Sequence, residues 1–340
     1  MTERLVDDLT AALNQKIGKQ LASGMRLDGW RFDMHHITQT EIGLKNSRLG
    51  GPYTAPSYKE EIGGEVFLHW SDAKYSSGRL DRLVVEKFEE NWELWQRTAF
   101  RDEFGPELVE PYQPPAVLLL DDAVKNVVAG QSSLPFDVLN DAVQELQTKW
   151  DAHKIDGRFK ASLDCRSIRN SLGMAVDYEQ SPVDFFIEAD DIFGDAFAEK
   201  RLPTDEEIEH VKTYIGQTLA PLKKEIALPK SGRMPILLSP SVTDAFCDHY
   251  LTTNLQGSLV SNRQSAFREE DFRNGKQVLR SDLTISIDGM RPLRHTSYRC
   301  TGEGIPTGQI DLIQDGQLKT PVLNLKYAKR LGMTATPIPV

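Results

Sequence analysis

The stretch Ile310-Asp311-Leu312-Ile313-Gln314-Asp315-Gly316-Gln317-Leu318 has the pattern of a β-hairpin. Apolar residues lie on both sides of Asp315-Gly316, a dipeptide that suits the two-residue turn between antiparallel strands. Upstream, Leu283–Ile287 alternates apolar and polar residues, as a half-buried strand does. The last third of the chain is therefore predicted to be a β-rich domain.

Helical and strand patterns alternate through the rest of the chain. Thr204 and Glu207 occupy the N-cap and N3 positions of a capping box, and an apolar stripe from Ile208 to Leu219 predicts the helix that follows. Other helices are predicted at 5–17, at 135–150 and after Ser239-Pro240, and strands at 30–35, 65–70, 116–120, 158–164, 173–178, 185–189 and 234–238. This order predicts an α/β (α+β) fold, in which an N-terminal α/β part with a mixed sheet and helices precedes the β-rich domain.

Two proline-containing stretches suggest where the chain divides. Glu110–Pro115 has three prolines, which an inner strand or a helix does not accept, and Pro229–Gly232 is a second turn-rich segment. We therefore predict an N-terminal α/β region (1–115), a middle α/β region (116–229) and a C-terminal β-rich domain (230–340).

The composition excludes several classes of protein. The 340 residues carry a formal net charge of −10, which argues against a nucleic-acid partner. The longest apolar run, Ala116–Leu120, is far shorter than the ~20 residues that cross a bilayer, so no membrane contact is expected. The N-terminus lacks the pattern of a signal peptide, and three widely spaced cysteines indicate a reducing compartment. A cytoplasmic location is expected.

Complete motifs for metal or nucleophilic chemistry are missing from the sequence. The seven histidines form no HExxH or HExxxH pattern, and neither CxxC nor GxSxG occurs. Cys247-Asp248-His249 would fan apart on a helix, which disfavours a joint site. Ser171 lies in a turn-forming context, where a structural role is favoured. One enzymatic alternative stays open, in which the thiol of Cys247 or Cys300 acts as a nucleophile.

Several segments together resemble the TldD/PmbA family, also called modulators of DNA gyrase. The resemblance begins at an asparagine-serine-x-glycine signature formed by Asn170, Ser171 and Gly173, and it is strongest in the last third of the chain. The matching segments, whose order and spacing are more specific than any one of them, are 169–173, 204–222, 235–240, 263–267, 283–288, 302–307, 315–319 and 327–333. Glu303 and Gly304 are the further motif positions.

The resemblance implies a zinc-free branch of this family. The catalytic branch carries an HExxxH zinc motif, and the other branch keeps the fold without it and pairs with a catalytic subunit. The segment of this chain that aligns with the zinc motif is Asp248-His249-Tyr250-Leu251-Thr252-Thr253, so neither histidine position holds a histidine. No metal ligand is expected here, and zinc is expected only in a partner subunit. Family members continue beyond the position of Val340, so the C-terminal domain is expected to be shortened or part of a longer chain.

The predicted function is that of a non-catalytic subunit of a TldD/PmbA-type zinc peptidase that processes small or unfolded peptides. The expected partner is an HExxxH-bearing subunit or a second copy of this chain. No catalytic residue is predicted, and an extended peptide is expected to add to the hairpin region, with contacts from Ile310, Leu312, Leu318 and Leu323. The alternative is a stand-alone peptide-binding or regulatory protein without peptidase activity.

Overall fold

Helices and antiparallel sheets build the fold, which confirms the predicted α+β class. The structure is a computed structural model that describes residues 2–21, 24–50, 55–224, 231–233 and 235–339. The strands are β1 (Leu27–Lys45), β2 (Arg48–Leu49), β3 (Ser57–Trp70), β4 (Lys74–Leu80), β5 (Phe100–Arg101), β6 (Ile155–Asn170), β7 (Ala175–Gln180), β8 (Val183–Ala189), β9 (Phe193–Glu199), β10 (Ile285–Asp288), β11 (Gln309–Gln314) and β12 (Gln317–Leu318). No helix among the described residues is long and apolar enough to cross a membrane.

The α-helices surround these strands. They are α1 (Thr2–Lys16), α2 (Arg82–Glu86), α3 (Phe88–Arg97), α4 (Asp122–Val128), α5 (Leu134–Trp150), α6 (Asp205–Leu222), α7 (Pro240–Phe246), α8 (Thr253–Leu255), α9 (Gly257–Ser261), α10 (Glu269–Arg273) and α11 (Leu325–Leu331). A π-helical turn, Cys247–Thr252, connects α7 with α8.

One large sheet organises the first two thirds of the chain. Its main path is β5-β4-β3-β1-β6-β8-β9, with β2 paired to β1 and β7 paired to β6. The central pair is formed by β1 and β6, which lie on opposite sides of the predicted 115/116 boundary. The three-region division stays a prediction, and strands from the first two regions share this sheet.

The alternation of residues along β1 assigns one face of the sheet to the core. Trp30, Phe32 and Met34 are almost fully buried in a cluster with α1, α2 and α3. Further along the strand, Ile42 and Leu44 join a second cluster with α4, α5 and α6. Because side chains alternate between the faces of a strand, the odd-numbered residues of β1 point away from these helices.

The C-terminal residues form a smaller unit with its own apolar core. β10, β11 and β12 make a three-stranded antiparallel sheet, and Asp315 and Gly316 connect β11 to β12 with φ angles of 51° and 74°. Positive φ at both turn residues is the geometry of the predicted hairpin, which is thus confirmed. Short helices cover this sheet.

Two predicted strands differ from the structure. Ala116–Leu120 has no regular strand assignment, although Leu118 and Leu119 each accept one backbone hydrogen bond, from Leu293 N and Ser181 N respectively. The segment is an extended connector because it touches two neighbours without continuing along either. Residues 235–238 are not a strand either, since Ile236 and Leu237 are 77% and 98% exposed and have no sheet to join; Met234 lies outside the described residues.

Candidate functional site

A cleft separates the polar face of the large sheet from the C-terminal unit. The register of β1 pairs Arg31 with Phe67 of β3, and His35 with Arg166 of β6. Residues that pair directly across antiparallel strands project to the same face. This face therefore collects the odd-numbered residues of β1 together with charged residues of β6, opposite the helical cores.

The cleft contains two adjoining cavities. One has a volume of about 560 Å³ and is lined by Arg31, Asp33, His35 and Phe67. The other has a volume of about 1050 Å³ and extends towards β9 and the loop before Cys300. Both cavities share Arg166 on the sheet and the segment Thr301–Gly302 on the C-terminal unit. A ligand in this cleft would contact both parts of the protein.

Asp33 lies on the floor of the smaller cavity with one carboxylate oxygen unpaired. Its Oδ2 atom is 3.7 Å from Nη1 of Arg166, whereas Oδ1 is buried and has no hydrogen-bond partner among the described residues. Burial raises the pKa of Asp33 above its ordinary value, although the charges of Arg166 and His35 act in the opposite direction. The carboxyl group is therefore an acceptor whose ionised form lacks full compensation.

Arg166 connects Asp33 to a second buried carboxylate. Its Nε atom donates to Oδ2 of Asp164 at 3.0 Å, and the amide of Gln180 donates to the same oxygen at 2.6 Å. Burial alone would lower the pKa of Arg166, but Asp164 and Asp33 raise it above its ordinary value. The guanidinium thus stays charged and holds the two carboxylates in fixed positions.

Arg31 joins the sheet to the C-terminal unit through Glu303. Nη2 of Arg31 is 3.1 Å from Oε1 of Glu303, and Oε2 of Glu303 accepts a hydrogen bond of 2.6 Å from the backbone of Leu325 at the start of α11. The guanidinium also lies 4.8 Å from the ring centre of Phe67. Its Nη1 atom is buried and has no hydrogen-bond partner within the described part of the chain.

The asparagine-serine-x-glycine signature forms the turn between β6 and β7. The Asn170 amide donates to Val109 O at 2.6 Å, and its oxygen accepts from the backbone of Leu172 and Met174. The hydroxyl of Ser171 accepts from the backbone N–H of Trp30 at 3.2 Å. Gly173 donates from its backbone to Asn170 O at 3.2 Å. These contacts agree with the structural reading of Ser171.

Gly304 has a conformation and a position that favour glycine. Its φ is +87°, and a Cβ atom there would lie 2.5 Å from Cε of Met174. Met174 follows the signature turn, so Gly304 and Asn170 belong to neighbouring parts of one packed boundary. The five motif positions therefore gather where the C-terminal unit meets the sheet.

The thiols of the chain do not favour nucleophilic chemistry. Cys300 is buried, and this burial raises its pKa to about 11, so the thiol is protonated at neutral pH. Cys247 lies in the π-helical turn, and Phe246 and Tyr250 beside it are exposed. No second residue of a catalytic pair with Cys247 emerges from the described contacts.

The four residues predicted to bind peptide lie in or beside the core of the C-terminal unit. Leu312, Leu318 and Leu323 are buried, with exposed fractions of 2%, 0% and 0%, and Ile310 packs against their cluster. In addition, β11 is the central strand of its sheet, between β10 and β12. Packing accounts for the apolar character of these positions, and their contact with a peptide stays a prediction.

The segment aligned with the zinc motif does not fit a zinc ion. Asp248–Thr253 forms the π-helical turn and the start of α8, and His249 is its single histidine. Across the described ranges, no group of three or more histidine, cysteine, aspartate and glutamate side chains could hold a metal ion. Two carboxylate or imidazole groups on neighbouring positions of one helix are too few for the usual four-ligand site.

The charged floor of the cleft was not predicted from the sequence. The available signal was the polar series at Arg31, Asp33 and His35, which alternates with apolar residues in β1. In a single-sheet protein such a series is solvated. It becomes a site here because Thr301–Glu303, about 270 positions away in the sequence, covers it.

Comparisons with known proteins agree with this architecture. The description "PmbA/TldA metallopeptidase C-terminal domain" matches residues 231–337. The uncharacterized protein MJ0231 of Methanocaldococcus jannaschii is 29% identical over 101 residues, which is 30% of this chain and 24% of that relative. The chain thus matches about a quarter of the length of this curated relative.

Two solved structures have the same fold. TldE from Thermococcus kodakarensis aligns with a TM-score of 0.80 and 16% identity, covering 98% of this chain and 73% of that chain. A candidate modulator of a DNA gyrase from Thermotoga maritima aligns with a TM-score of 0.78 and 18% identity, covering 99% of this chain and 74% of that chain. The family match of residues 231–337 and the shared fold of the whole chain together support a protein of the TldD/PmbA family.

Proposed function

We propose that this chain is a non-catalytic, peptide-binding subunit of a TldD/PmbA-type zinc peptidase that acts on small or unfolded peptides. The observation that carries the proposal is the segment Asp248–Thr253, which aligns with the family's zinc motif and has no histidine at either ligand position. The peptide-bond chemistry would belong to an HExxxH-bearing partner subunit. The chain's own contribution would be to bind and position the peptide.

The charged cleft supports the peptide-binding part of the proposal. Peptides carry donors and acceptors along the backbone and opposite charges at the two ends, and the cleft offers both acidic and basic side chains. Asp33 and Glu303 supply carboxylates, and Arg31 and Arg166 supply guanidinium groups. The two cavities have volumes of about 560 and 1050 Å³ and share Arg166 and Thr301–Gly302, so one peptide could occupy both.

The test combines zinc analysis with peptide cleavage. We expect the purified chain to contain no stoichiometric zinc and to leave an unfolded peptide uncut. We expect it to form a complex with an HExxxH-bearing family member and to increase cleavage by that member. A mixture in which the glutamate of the partner's HExxxH is changed to glutamine is the control, and it should assemble without cleaving.

Two results would contradict the proposal. Stoichiometric zinc together with cleavage by the chain alone would make it a catalytic subunit. A chain that neither assembles with the zinc-bearing member nor changes its rate would instead fit the stand-alone peptide-binding protein, which is the second candidate.

A further inference from the structure

Two residues of β1 that line the smaller cavity each have a polar atom without a hydrogen-bond partner among the described residues. Oδ1 of Asp33 is an acceptor without a donor, and Nη1 of Arg31 is a donor without an acceptor; both atoms are buried. Burying an unsatisfied polar group costs free energy, so these two atoms have unused capacity for a ligand. They belong to residues two positions apart in β1 and therefore project from one face, with Cα atoms about 7 Å apart.

The pair requires a ligand with a cationic donor next to an acceptor. A buried carboxylate gains most from a positively charged donor, and the free N–H of a guanidinium gains most from a carbonyl or carboxylate oxygen. The N-terminal end of a peptide has this combination, because its α-ammonium group is followed at once by the first carbonyl. A lysine side chain supplies the ammonium without the adjacent carbonyl.

We propose that Asp33 and Arg31 form a subsite for the N-terminal end of a peptide, in which Asp33 accepts from the α-ammonium group and Arg31 donates to the first carbonyl oxygen. This inference rests on the proposed peptide-binding function and assigns the direction in which the peptide lies. The N-terminus sits in the smaller cavity, and the chain continues past Arg166 and Gly302 into the larger one.

The opposite wall of the subsite has a glycine beside the carboxylate of Asp33. A Cβ atom at Gly302 would lie 2.8 Å from Oδ2 of Asp33, so a side chain at this position would fill the space beside the carboxylate. Glu303 adds a second negative charge nearby and keeps Arg31 in place through the 3.1 Å ion pair. The subsite thus takes its two binding groups from the sheet and its shape from the C-terminal unit.

The experiment measures binding of three peptides to the full chain by calorimetry. The probes are Ala-Ala-Ala, its N-acetylated form and its C-terminal amide. We expect the free peptide and the amide to bind alike, and N-acetylation to weaken binding by about tenfold or more, as expected when a charge-assisted hydrogen bond is lost. Equal binding of the acetylated and free peptides would overturn the subsite, and so would the absence of any peptide binding.

Variants test the same contact from the protein side. Asp33→Asn keeps the size of the side chain but removes the charge, and Gly302→Ala places a methyl group against the carboxylate. Each variant should weaken the binding of Ala-Ala-Ala by about tenfold. Asp28→Asn is the matched control, because Asp28 is exposed at the start of β1 and pairs with Arg26. Its affinity should equal that of the wild type. Unfolding midpoints of all three variants separate lost binding from lost folding.

The outcome is independent of assembly with a zinc-bearing subunit. If N-terminal recognition is found but the mixture with the HExxxH-bearing member does not cleave faster, the subsite stands and the subunit role fails. If the mixture cleaves faster but N-acetylated peptides bind as well as free ones, the subunit role stands and the subsite is wrong.

Discussion

At the scale of the residue, the side chain of Asn170 holds three backbone groups at once. It donates to Val109 O and accepts from Leu172 N and Met174 N, and only 4% of the residue is exposed. Asn170→Ala would leave these buried groups without partners, so we expect the free energy of unfolding to fall by about 2–4 kcal/mol. Urea denaturation measures this change.

Asn126 provides the control for that substitution. It is exposed in α4, so Asn126→Ala should change stability by no more than about 0.5 kcal/mol. Equal stability of the two variants would mean that the side chain of Asn170 does not stabilise the turn between β6 and β7.

Asp33 connects binding to stability through its pKa. Because burial raises the pKa of Asp33 in the folded protein above 3.8, the folded state holds this proton more tightly than the unfolded state. The contribution of Asp33 to stability therefore falls as pH rises from about 3.8 through the raised pKa. We expect Asp33→Asn to unfold at a higher temperature than the wild type at neutral pH, while its peptide affinity is lower.

The pH dependence checks the sign of this effect. The difference in midpoint between Asp33→Asn and the wild type should shrink as the pH is lowered through the raised pKa of Asp33 towards 3.8, because the folded wild type then takes up the proton. A variant that is less stable than the wild type at neutral pH would indicate that attraction to Arg166 outweighs burial.

At the scale of the element, the capping box of α6 is predictable from four consecutive residues. Thr204 Oγ1 accepts from Glu207 N at 3.3 Å, and Glu207 Oε2 accepts from Thr204 N at 2.9 Å. Thr204→Ala removes the first of these contacts, and we expect a loss of about 1 kcal/mol in the free energy of unfolding. Thr148→Ala, at an exposed position inside α5, should be neutral because its hydroxyl bonds only within the helix.

The same capping box has a pH signature. Arg201 binds Glu207 through two hydrogen bonds of 2.7 and 2.6 Å, and this lowers the pKa of Glu207 to about 2. The contribution of Glu207 to the free energy of unfolding is therefore fully present above pH 4.5, the ordinary pKa of this group, and is lost as the pH falls from 4.5 to about 2. In an acid titration, Thr204→Ala should start from a lower free energy of unfolding than the wild type. It should also lose less of that free energy between pH 4.5 and about 2.

Elements that depend on local signals were predictable, and elements that depend on distant partners were not. The capping box and the Asp315-Gly316 turn could be predicted from neighbouring residues, because the hydrogen bonds of a cap or a two-residue turn form between residues a few positions apart. Ala116–Leu120 has the composition of a strand, but Leu293 and Ser181 each donate only one backbone hydrogen bond to it, which is too few for a sheet. The cleft could likewise not be predicted, because it depends on the ion pair between Arg31 and Glu303. No local sequence pattern specifies that contact.

At the scale of the whole molecule, several hydrogen bonds and ion pairs join the C-terminal unit to the rest of the chain, and Lys200 makes four of the hydrogen bonds. Lys200 follows β9, is 4% exposed, and donates from Nζ to the carbonyl oxygens of Arg294 (3.4 Å), His295 (2.6 Å) and Ser297. Its backbone N–H also donates to Leu293 O at 2.8 Å. The ammonium group of Lys200 therefore holds the 293–297 loop together with the carboxylate of Glu199, which accepts from the Arg294 side chain and the His295 backbone. Lys200 is thus a positioning residue for the wall of the larger cavity.

Lys200→Met tests whether this group holds the two units together. The carbonyl groups of the loop would lose their donor, so we expect the free energy of unfolding to fall by about 2–4 kcal/mol and amide exchange to accelerate in 293–301 before the core of the large sheet. Lys125→Met, at a partly exposed position of α4 where the side chain pairs with Asp122, is the control and should change stability by no more than about 0.5 kcal/mol. Uniform exchange throughout Lys200→Met would contradict a local role.

The pH dependence of this variant separates the ammonium from a merely space-filling side chain. Burial lowers the pKa of Lys200 to about 8, below the ordinary value of 10.5, so between these values the unfolded state binds more protons than the folded state. Stability from this group therefore rises as pH increases from about 8 to 10.5. Because methionine does not titrate, the stability difference between wild type and Lys200→Met should widen across that window. A constant difference would show that the pKa of Lys200 is the same in the folded and unfolded states, so that burial of its charge has no cost.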